Sequence, residues 1–513
     1  MQELPLNGFY SGESRKLSDR RCVNFVPTPS DGGSLSQLAL MPTSGIEYEI
    51  NTGFLWDSDF LSGSISGLVY NFENNNVGSN GLFIVGRTIV TTGGASYSTT
   101  TLPSTPAGGG TTVSGLCESS RFASSPDLAV VVGPSYNNLN RDRGYVIDKN
   151  IGATAIDLIT ALGNSNCGLI DVAYFGGRFL FLCNQIGFNA VYYSAIGGTE
   201  PNSLDFFAPD TNNETLQGMH VLGNTLYLFS KTKCYLYQVT TSTDLPFRNV
   251  GAIDIGIDSP FSKTEINGSL AVYGSGINGP DSCYIISGAG IKKVSNQSID
   301  YNLVGDSVRL FTFSEKGRLF VALRSSNHCF VYENETGLWH ERETLGSSTW
   351  DFIGYCEGGN DGVMIGDRFS NIGGRVFTRF GRFNSELGTE LAVSFPSEDF
   401  NGLVEREVIT SPFNASNNRM VISEIQPQCE IDYSVKVTDW IEPKISLSVS
   451  YDFGNTFEAE RSLNIGRAGN YNQETRFFNV GYVSQAFNVK LRVLNPYPTR
   501  IVKLLSRFLA GGF

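Results

Sequence analysis

Between residues 81 and 362 the chain repeats a short pattern, in which a small turn residue opens directly into an apolar strand. The turns lie 46, 50, 47, 44, 49 and 45 residues apart and end at Gly81, Asp127, Gly177, Asn224, Gly268, Gly317 and Gly362. The strands that follow them have the sequences LFIVG, LAVVVG, RFLFLC, TLYLFS, SLAVYG, RLFVAL and VMIGD. One hairpin at a near-constant period of this length is typical of β-sheet blades repeated around an axis. The pattern predicts an all-β chain with a β-propeller of six or seven blades, depending on whether the first unit is a blade.

The flanking regions lack this period and predict two further parts. Residues 1–55 have isolated apolar positions and prolines, which suits an extended N-terminal arm lying on another surface. From residue 386 the chain has longer alternating strands, such as KISLSVSYDF at 444–453, which are typical of a β-sandwich. The predicted domains are therefore an arm (1–55), a propeller (56–385) and a C-terminal β-sandwich (386–513).

Two segments within the propeller depart from the strand pattern. Residues 87–115 are rich in Ser, Thr and Gly and almost devoid of large apolar side chains, so they predict a long inserted loop. The phrase ATAIDLITALG at 153–163 has the most helix-like spacing in the chain and predicts one short helix.

Composition and charge limit the classes of partner. Apolar residues make up 41% of the chain, enough for packed cores, and 57 glycines indicate many turns. The net charge of −13 argues against a surface that grips nucleic acid, because phosphate binding requires clustered Lys and Arg. Two interpretations of the acidity stay open, namely general solubility and a surface past which DNA can slide.

The nine cysteines are scattered, and no pair has C-x-x-C spacing. They predict buried free thiols in a reducing compartment, without a disulfide framework or a zinc site. The sequence shows no signal-peptide pattern and no run of 18 apolar residues, so we expect assembly in a host cytoplasm and no membrane partner.

One named motif is present, SYDFGNTF from Ser450 to Phe457. It resembles the Asp box of sialidases, S-x-D-x-G-x-T-W, with Phe457 in place of the Trp. In that resemblance Asp452 caps a tight hairpin turn, Gly454 takes positive φ and the aromatic residue packs against the turn. The motif is an element of fold and lies away from the sialidase catalytic centre.

No other pattern requires chemistry. The histidines His220, His328 and His340 are unclustered, and GSGING (274–279) is followed by Pro280, which predicts a turn and no phosphate-binding helix. The carboxylate pair Glu405 and Glu407 is interpreted as a solvated face, as is the pair Asp205 and Asp210. For Trp339 we predict packing between hairpins. We therefore assign no catalytic, cofactor-binding or metal-binding residue and no cofactor, and expect no enzyme.

In order along the chain, many phrases resemble the tail hub or nozzle proteins of short-tailed bacteriophages, the packaged-DNA stabilisation proteins. The opening SRKLSDRRCVNFVP and LALMPTSGI carries the resemblance, with Pro42-Thr-Ser-Gly45 in place of a Pro-Gly turn. The middle and the end also carry it, in DVAYFGGRFLFL (171–182), VYYSAIGGTEPNSLDFFAP (191–209), FVYENETGLWHER (330–342) and the block 446–498. Two departures are Phe453, where the family pattern has Gly, and the segment 87–115.

This resemblance implies a structural virion protein of the phage tail. The resemblance implies that such proteins form hexameric rings below the portal and head-to-tail adaptor. These rings would extend the DNA channel and retain the packaged genome. They receive a tail needle or plug and carry tail fibres or spikes, and DNA passes through without sequence-specific binding.

Two other hypotheses remain open at this point. A propeller that binds or processes glycans would require carboxylates and aromatic side chains at one face. A propeller scaffold that binds peptides would require a monomer with a polar, arginine-lined face.

Overall fold

The computed structural model describes most of the chain in segments and consists almost entirely of β-strands. The described residues are 2–4, 6, 21–29, 38–48, 68–73, 79–85, 88–93, 96–101, 116–120, 128–134, 142–148, 152–157, 169–185, 188–209, 214–242, 245–276, 279–288, 290–344, 346–356, 363–372, 375–384, 389–392, 401–414, 420–432, 442–466 and 474–510.

Five short strands lie within the first 48 residues. They are β1 (Gln2–Leu4), β2 (Arg21–Val23), β3 (Phe25–Pro29), β4 (Leu38–Pro42) and β5 (Gly45–Tyr48).

Five antiparallel four-stranded sheets follow, each built from consecutive strands, and we number them as blades 1 to 5. Blade 1 contains β6 (Leu68–Glu73), β7 (Ser79–Val85), β8 (Thr88–Gly93) and β9 (Ser96–Thr101). Blade 2 contains β10 (Leu116–Ser120), β11 (Leu128–Pro134), β12 (Asp142–Asp148) and β13 (Gly152–Asp157). Blade 3 contains β14 (Leu169–Phe175), β15 (Arg178–Gln185), β16 (Phe188–Ser194) and β17 (Pro201–Phe207). Blade 4 contains β18 (Leu216–Leu222), β19 (Thr225–Ser230), β20 (Cys234–Val239) and β21 (Phe247–Ile253). Blade 5 contains β22 (Lys263–Ile266), β23 (Ser269–Gly274), β24 (Ser282–Ser287) and β25 (Gly290–Lys293).

A short helix, α1 (Gln297–Asn302), leads into two blades that continue into larger sheets. Blade 6 contains β26 (Arg309–Glu315), β27 (Arg318–Arg324), β28 (Cys329–Glu333) and β29 (Trp339–Glu341). Blade 7 contains β30 (Phe352–Cys356), β31 (Val363–Ile372) and β32 (Arg375–Asn384), and its fourth strand is β5 from the N-terminal region. Two more strands, β33 (Thr389–Ala392) and β34 (Asn401–Leu403), extend this sheet beyond β5.

The remaining strands form the C-terminal β-sandwich. They are β35 (Glu405–Ile409), β36 (Phe413–Asn414), β37 (Met420–Ile431), β38 (Lys444–Ser450), β39 (Arg461–Asn464), β40 (Phe477–Val483), β41 (Ala486–Leu494) and β42 (Thr499–Ala510). One sheet has the order β3-β4-β42-β37-β40, and β1 also pairs with β42. The other sheet contains β35, β41, β38 and β39 and continues through β2 into blade 6.

The repeated phrases of the sequence mark the second strand of each blade, namely β7, β11, β15, β19, β23, β27 and β31. The predicted propeller with a C-terminal sandwich is thus confirmed, and within the described residues the propeller has seven blades. The first strand of blade 7 contacts the first strand of blade 1, which closes the ring. One apolar core, which includes Phe25, Leu323, Trp339 and Leu491, extends from the N-terminal strands and blades 5 and 6 into the sandwich.

Several local predictions were wrong. Residues 88–93 and 96–101 are not part of a loop, because they form the two outer strands of blade 1, and the β-branched Thr residues in both suit a strand. Residues 152–157 form the outer strand of blade 2 and not a helix, since pairing with β12 overrides the weak helical spacing. Residues 102–115 and 158–163 lie outside the described part of the chain.

The strands of residues 1–55 take part in both the sandwich and blade 7, and the predicted domain limits stay predictions. Free cysteines were predicted throughout, and Cys22, Cys234, Cys283, Cys329 and Cys429 are free. Cys183 is disulfide-bonded, so the prediction is wrong for this residue. Which thiols meet depends on the approach of their Cα atoms in the fold, and spacing along the chain does not supply that.

Candidate functional site

The propeller and the sandwich are joined through β2. This strand pairs in parallel with β29 of blade 6, where Val23 is opposite Glu341. On its other side β2 pairs antiparallel with β35 of the sandwich, where Val23 is opposite Glu407. Because the pairing is continuous, one ten-stranded sheet passes from the propeller into the sandwich. We call this region the junction; it consists of β2, Asn24 and the described parts of β29, β35 and β41, together with Glu343 after β29.

Asn24 connects the parts of the junction through one buried side chain. It lies between β2 and β3 with a left-handed φ of 53°. Its Nδ2 donates to the carbonyl oxygens of Glu343 at 2.9 Å and Glu405 at 2.7 Å, and its Oδ1 accepts from the Glu343 N–H at 3.1 Å. Its backbone N–H donates to the Glu341 oxygen at 2.9 Å, and its own carbonyl accepts from the Thr43 N–H at 3.2 Å. Asn is among the few residues other than Gly that adopt this conformation readily, because its short amide can bond locally.

Arg21 on β2 is surrounded by carboxylates from both bodies. Its Nε lies 3.0 Å from Glu341 of blade 6, its Nη1 lies 3.5 Å from Glu407 of the sandwich, and its Nη2 contacts Glu343. The Nζ of Lys490 on β41 lies 2.9 Å from the second oxygen of Glu407. The network therefore ties a strand of the propeller, a strand of the N-terminal region and two strands of the sandwich together.

A second group of ions extends the network across the sandwich. Arg492 on β41 lies 3.1 Å from Glu405 and 2.8 Å from Glu460. The prediction that Glu405 and Glu407 form a solvated face was wrong, because both are engaged in ion pairs and Glu407 is buried. Alternation along β35 predicts which residues share a face, but it does not reveal that β2 pairs beside β35 and brings Arg21 to Glu407.

The carboxyl of Glu343 is strongly perturbed. Burial raises its pKa to about 7, Arg21 opposes this shift, and the neighbouring carboxylates add to it. These neighbours are Glu341, Glu407 and Glu405.

Beside the junction lies a buried ion pair between Glu315 at the end of β26 and Arg342 after β29. The second oxygen of Glu315 accepts from the Ser44 N–H at 2.5 Å, which fixes the chain between β4 and β5. Burial alone would raise the pKa of Glu315, but the charge of Arg342 and its other partners outweighs it and the pKa is lowered. The Arg342 guanidinium lies 4.9 Å from the ring centroid of Trp350 and 5.1 Å from that of Phe313, so this cation is enclosed by aromatic rings.

A separate buried ion pair links three blades at their innermost strands. Lys263 on β22 lies 3.0 Å from Asp171 on β14, and both side chains are almost fully buried. The Asp171 carboxylate also accepts from the Met219 N–H on β18 at 2.8 Å. Burial raises the pKa of Asp171, although the charge of Lys263 and the N–H groups of Met219 and Val172 oppose the shift. The pair holds blades 3, 4 and 5 together near the propeller axis.

The predicted Asp box forms the turn between β38 and β39. Asp452 accepts from the Thr456 N–H at 2.9 Å and from the Thr456 hydroxyl at 2.7 Å, and Gly454 has a φ of 85°. Phe457 lies against the chain with its ring 5.6 Å from the Nζ of Lys490. The predicted capping and positive φ are confirmed. Phe453, at the family's Gly position, also adopts positive φ, at 61°.

The histidines stand in three different settings. The Nε2 of His220 lies 3.8 Å from Glu265, and the ring of His328 stacks on Phe330. His340 is fully buried beside Arg342, and burial lowers its pKa well below the usual value.

The other predicted positions are structural. Trp339 is buried and its Nε1 donates to the Val294 oxygen at 3.1 Å, as a packing role requires. After GSGING the next described element is the strand β24 and not a helix, and the Gly279 N–H donates to the Gly276 oxygen at 3.1 Å. Residues 277 and 278 lie outside the described part of the chain. Asp210 lies outside the described residues. In the described part of the chain, no group of three potential ligands is placed to hold a metal ion, and no helix is long and apolar enough to cross a membrane.

Comparison with protein families gives the same two bodies. A family model described as bacteriophage P22 Gp10, beta-propeller, matches residues 2–373. A second, described as bacteriophage P22 Gp10, beta-sandwich, matches residues 405–506. The chain belongs to the bacteriophage P22 Gp10 family. The predicted resemblance to the tail hub proteins of short-tailed phages is thereby confirmed, and this Gp10-family chain is a structural protein of the phage virion tail.

Solved structures similar to this Gp10-family chain match it only distantly. The extracellular domain of the one-component system BT4673 from B. thetaiotaomicron has 10% identity and a TM-score of 0.37, over 65% of this chain and 41% of that one. Acylaminoacyl peptidase from Pyrococcus horikoshii has 10% identity and a TM-score of 0.35, over 71% and 60%. Aleuria aurantia lectin in complex with alpha-methyl-L-fucoside has 10% identity and a TM-score of 0.32, over 63% and 96%.

At these scores the likeness carries no argument about function. The Gp10-family chain spans less than two thirds of the length of the BT4673 extracellular domain and of the acylaminoacyl peptidase. A comparison with curated protein sequences finds no match.

The sequence did not single out Arg21, Asn24 or Glu343. The available signal was Asn24 itself, which interrupts the apolar phrase CVNFV as an Asn does where the chain enters αL. Such a signal marks a bend, but not the distant strands that meet there.

Proposed function

We propose that this chain is the subunit of a ring below the portal and head-to-tail adaptor of a phage tail. The ring extends the DNA channel, retains the packaged genome and anchors other tail components. The observation that carries the proposal is the family match over both bodies in order along the chain.

The construction of the chain supports a mechanical role. Blade 7 is completed by β5, the sandwich is completed by β1, β3 and β4, and a continuous sheet joins the two bodies. A subunit whose bodies share strands transmits load without an interdomain linker. The net charge of −13 suits retention by a physical seal, because an acidic surface does not grip phosphates.

The proposed partners follow from this placement. They are five further copies of the chain in a hexamer, the adaptor and portal above, a needle or plug, and tail fibres or spikes. DNA passes through the ring without sequence-specific contacts.

The test is genome retention by particles assembled in cells that lack this chain. Full and empty heads are counted before and after the purified chain is added back. A parallel addition uses an unrelated protein of similar size and net charge, which controls for a non-specific polyanion effect. Copy number on the repaired particles is measured by mass.

We expect heads that leak alone and keep their DNA only after addition of this chain, with six copies per particle. Heads that stay full without the chain, or that are equally repaired by the control protein, would overturn the sealing role. A repaired head with a different copy number would overturn the hexamer alone.

A further inference from the structure

The ion-pair network around Arg21 holds more negative than positive charge. Among the described residues of this network, carboxylates outnumber cations by five to three. The carboxylates are Glu341, Glu343, Glu405, Glu407 and Glu460, and the cations are Arg21, Lys490 and Arg492. Such an excess in a partly desolvated region favours uptake of a proton, because protonation removes one repelling charge.

The Glu343 carboxyl is the group at which this excess of negative charge acts. Its side chain is 19% exposed and faces Arg21 of β2, Glu341 of β29, and Glu405 and Glu407 of β35. The cations of β41 are engaged elsewhere, since Lys490 pairs with Glu407 and Arg492 with Glu405 and Glu460. Among the described residues, Glu343 therefore shares the Arg21 guanidinium with Glu341 and Glu407.

The backbone keeps Glu343 in this position. Its N–H donates to Asn24 Oδ1 at 3.1 Å and its carbonyl accepts from Asn24 Nδ2 at 2.9 Å. While these bonds hold, the carboxyl stays between the propeller and the sandwich. Local opening of the junction breaks them and allows the carboxyl to reach water.

We propose that the junction is a proton-sensitive latch, in which Glu343 holds a proton when blade 6, β2 and β35 are closed together and releases it when they open. The inference does not rest on the proposed place in the virion, because it concerns the isolated chain. It links the coupling of the two bodies to pH near neutrality.

The direction of the effect follows from linkage. With its pKa at about 7, Glu343 binds its proton more tightly in the closed state than a solvated glutamate, whose pKa is about 4.3. The stabilisation is complete below the solvated value and is lost as the pH rises through about 7. With these two values, the opening constant rises about tenfold between pH 6 and pH 8.

The test is hydrogen exchange of the full-length chain, read on peptides that contain Asn24 and Glu343. Their N–H groups donate across the junction, to the Glu341 oxygen and to Asn24 Oδ1. Exchange is measured at pH 6, 7 and 8 and corrected for the intrinsic pH dependence measured on the unfolded chain. We expect opening to increase about tenfold over this range in the wild type and to stay constant in Glu343→Gln.

Glu335→Gln is the matched control, because Glu335 is exposed in the β28–β29 turn and the change in charge is the same. It should keep the wild-type pH dependence. Arg21→Gln should move the rise in opening to higher pH and Glu341→Gln to lower pH, since these groups act on Glu343 in opposite directions. These displacements also provide a test if Glu343→Gln fails to fold.

A flat wild-type profile overturns the latch, as does a Glu343→Gln profile as steep as the wild type. Displacements of the wrong sign would equally contradict it. None of these results bears on genome retention.

Discussion

Replacement of Asn24 measures how strongly one side chain couples the propeller to the sandwich. Asn24→Gly keeps access to the left-handed backbone and removes the three side-chain hydrogen bonds to Glu343 and Glu405. At about 1 kcal/mol for each bond, the free energy of unfolding should fall by about 3 kcal/mol. Asn24→Ala loses the same bonds and, unlike Gly, keeps a Cβ at φ 53° without the amide that favours this conformation, which adds about 1 kcal/mol.

The assay is urea unfolding of the full-length chain, followed by circular dichroism and by tryptophan fluorescence, since Trp339 and Trp350 are buried near the junction. Asn267→Gly is the matched control, because Asn267 has a φ of 46° and is exposed in the β22–β23 turn. It should change the free energy of unfolding by less than about 0.5 kcal/mol.

Two results would refute this reasoning. If Asn24→Gly is as stable as the wild type, the three hydrogen bonds do not hold the junction. If Asn24→Ala is more stable than Asn24→Gly, the left-handed backbone is not a constraint in solution.

Three further predictions concern other sites. Lys263→Met leaves the buried Asp171 carboxylate without its cation, so urea unfolding should show a loss of about 3 kcal/mol. Gly481→Ala places a Cβ against the Tyr451 hydroxyl at φ 154°, so it should cost about 2–3 kcal/mol of the free energy of unfolding. Adding Tyr451→Ala should then cost less than the sum of the two single changes. Hydrogen bonds from the Ser450 hydroxyl and from the N–H and hydroxyl of Thr456 lower the pKa of Asp452 to about 2. The stabilisation that the ionised Asp452 gives to the folded chain is therefore lost as the pH falls towards 2. The difference in Tm between wild type and Asp452→Asn should narrow in acid.

Each of these predictions has a control or a contradicting result. Lys231→Met removes an exposed pair with Asp258 at 3.8 Å and should cost less than about 1 kcal/mol, so an equal loss in both variants would contradict a special role for Lys263. Full additivity of the Gly481 and Tyr451 changes would show that the two side chains do not meet. A Tm difference that is constant between pH 5 and pH 2.5 would show that the Asp452 carboxylate does not stabilise the hairpin.

Blade 3 could be predicted because its second strand is buried on both faces. In β15 the residues from Phe179 to Cys183 are all fully buried, so the strand is a continuous apolar run that can be recognised in the sequence. The outer strand β9 has the sequence SYSTTT and carries no such signal. A peripheral strand can bury little, as the exposed β25 does, and then no apolar run marks it in the sequence.

The junction could not be predicted from the sequence because its residues become meaningful only through distant pairing. Arg21 meets Glu341 across 320 positions and Glu407 across 386. Taken singly, each is an ordinary charged residue of a half-buried strand. The Asp box was predictable for the opposite reason, since all of its hydrogen bonds close within seven residues.

The pairing of the first strand with the last imposes an order on biosynthesis. Glu3 is opposite Leu505, so at ribosomal rates of about 5–20 residues per second the start of the nascent chain waits roughly 25–100 s for its partner. Blade 7 likewise cannot be completed until β32 has emerged to meet β5. A prematurely terminated product therefore retains unpaired N-terminal strands and an incomplete sandwich. A polypeptide that ends before β42 therefore lacks the complete sandwich, and any partner that binds the complete sandwich would not take up such a copy.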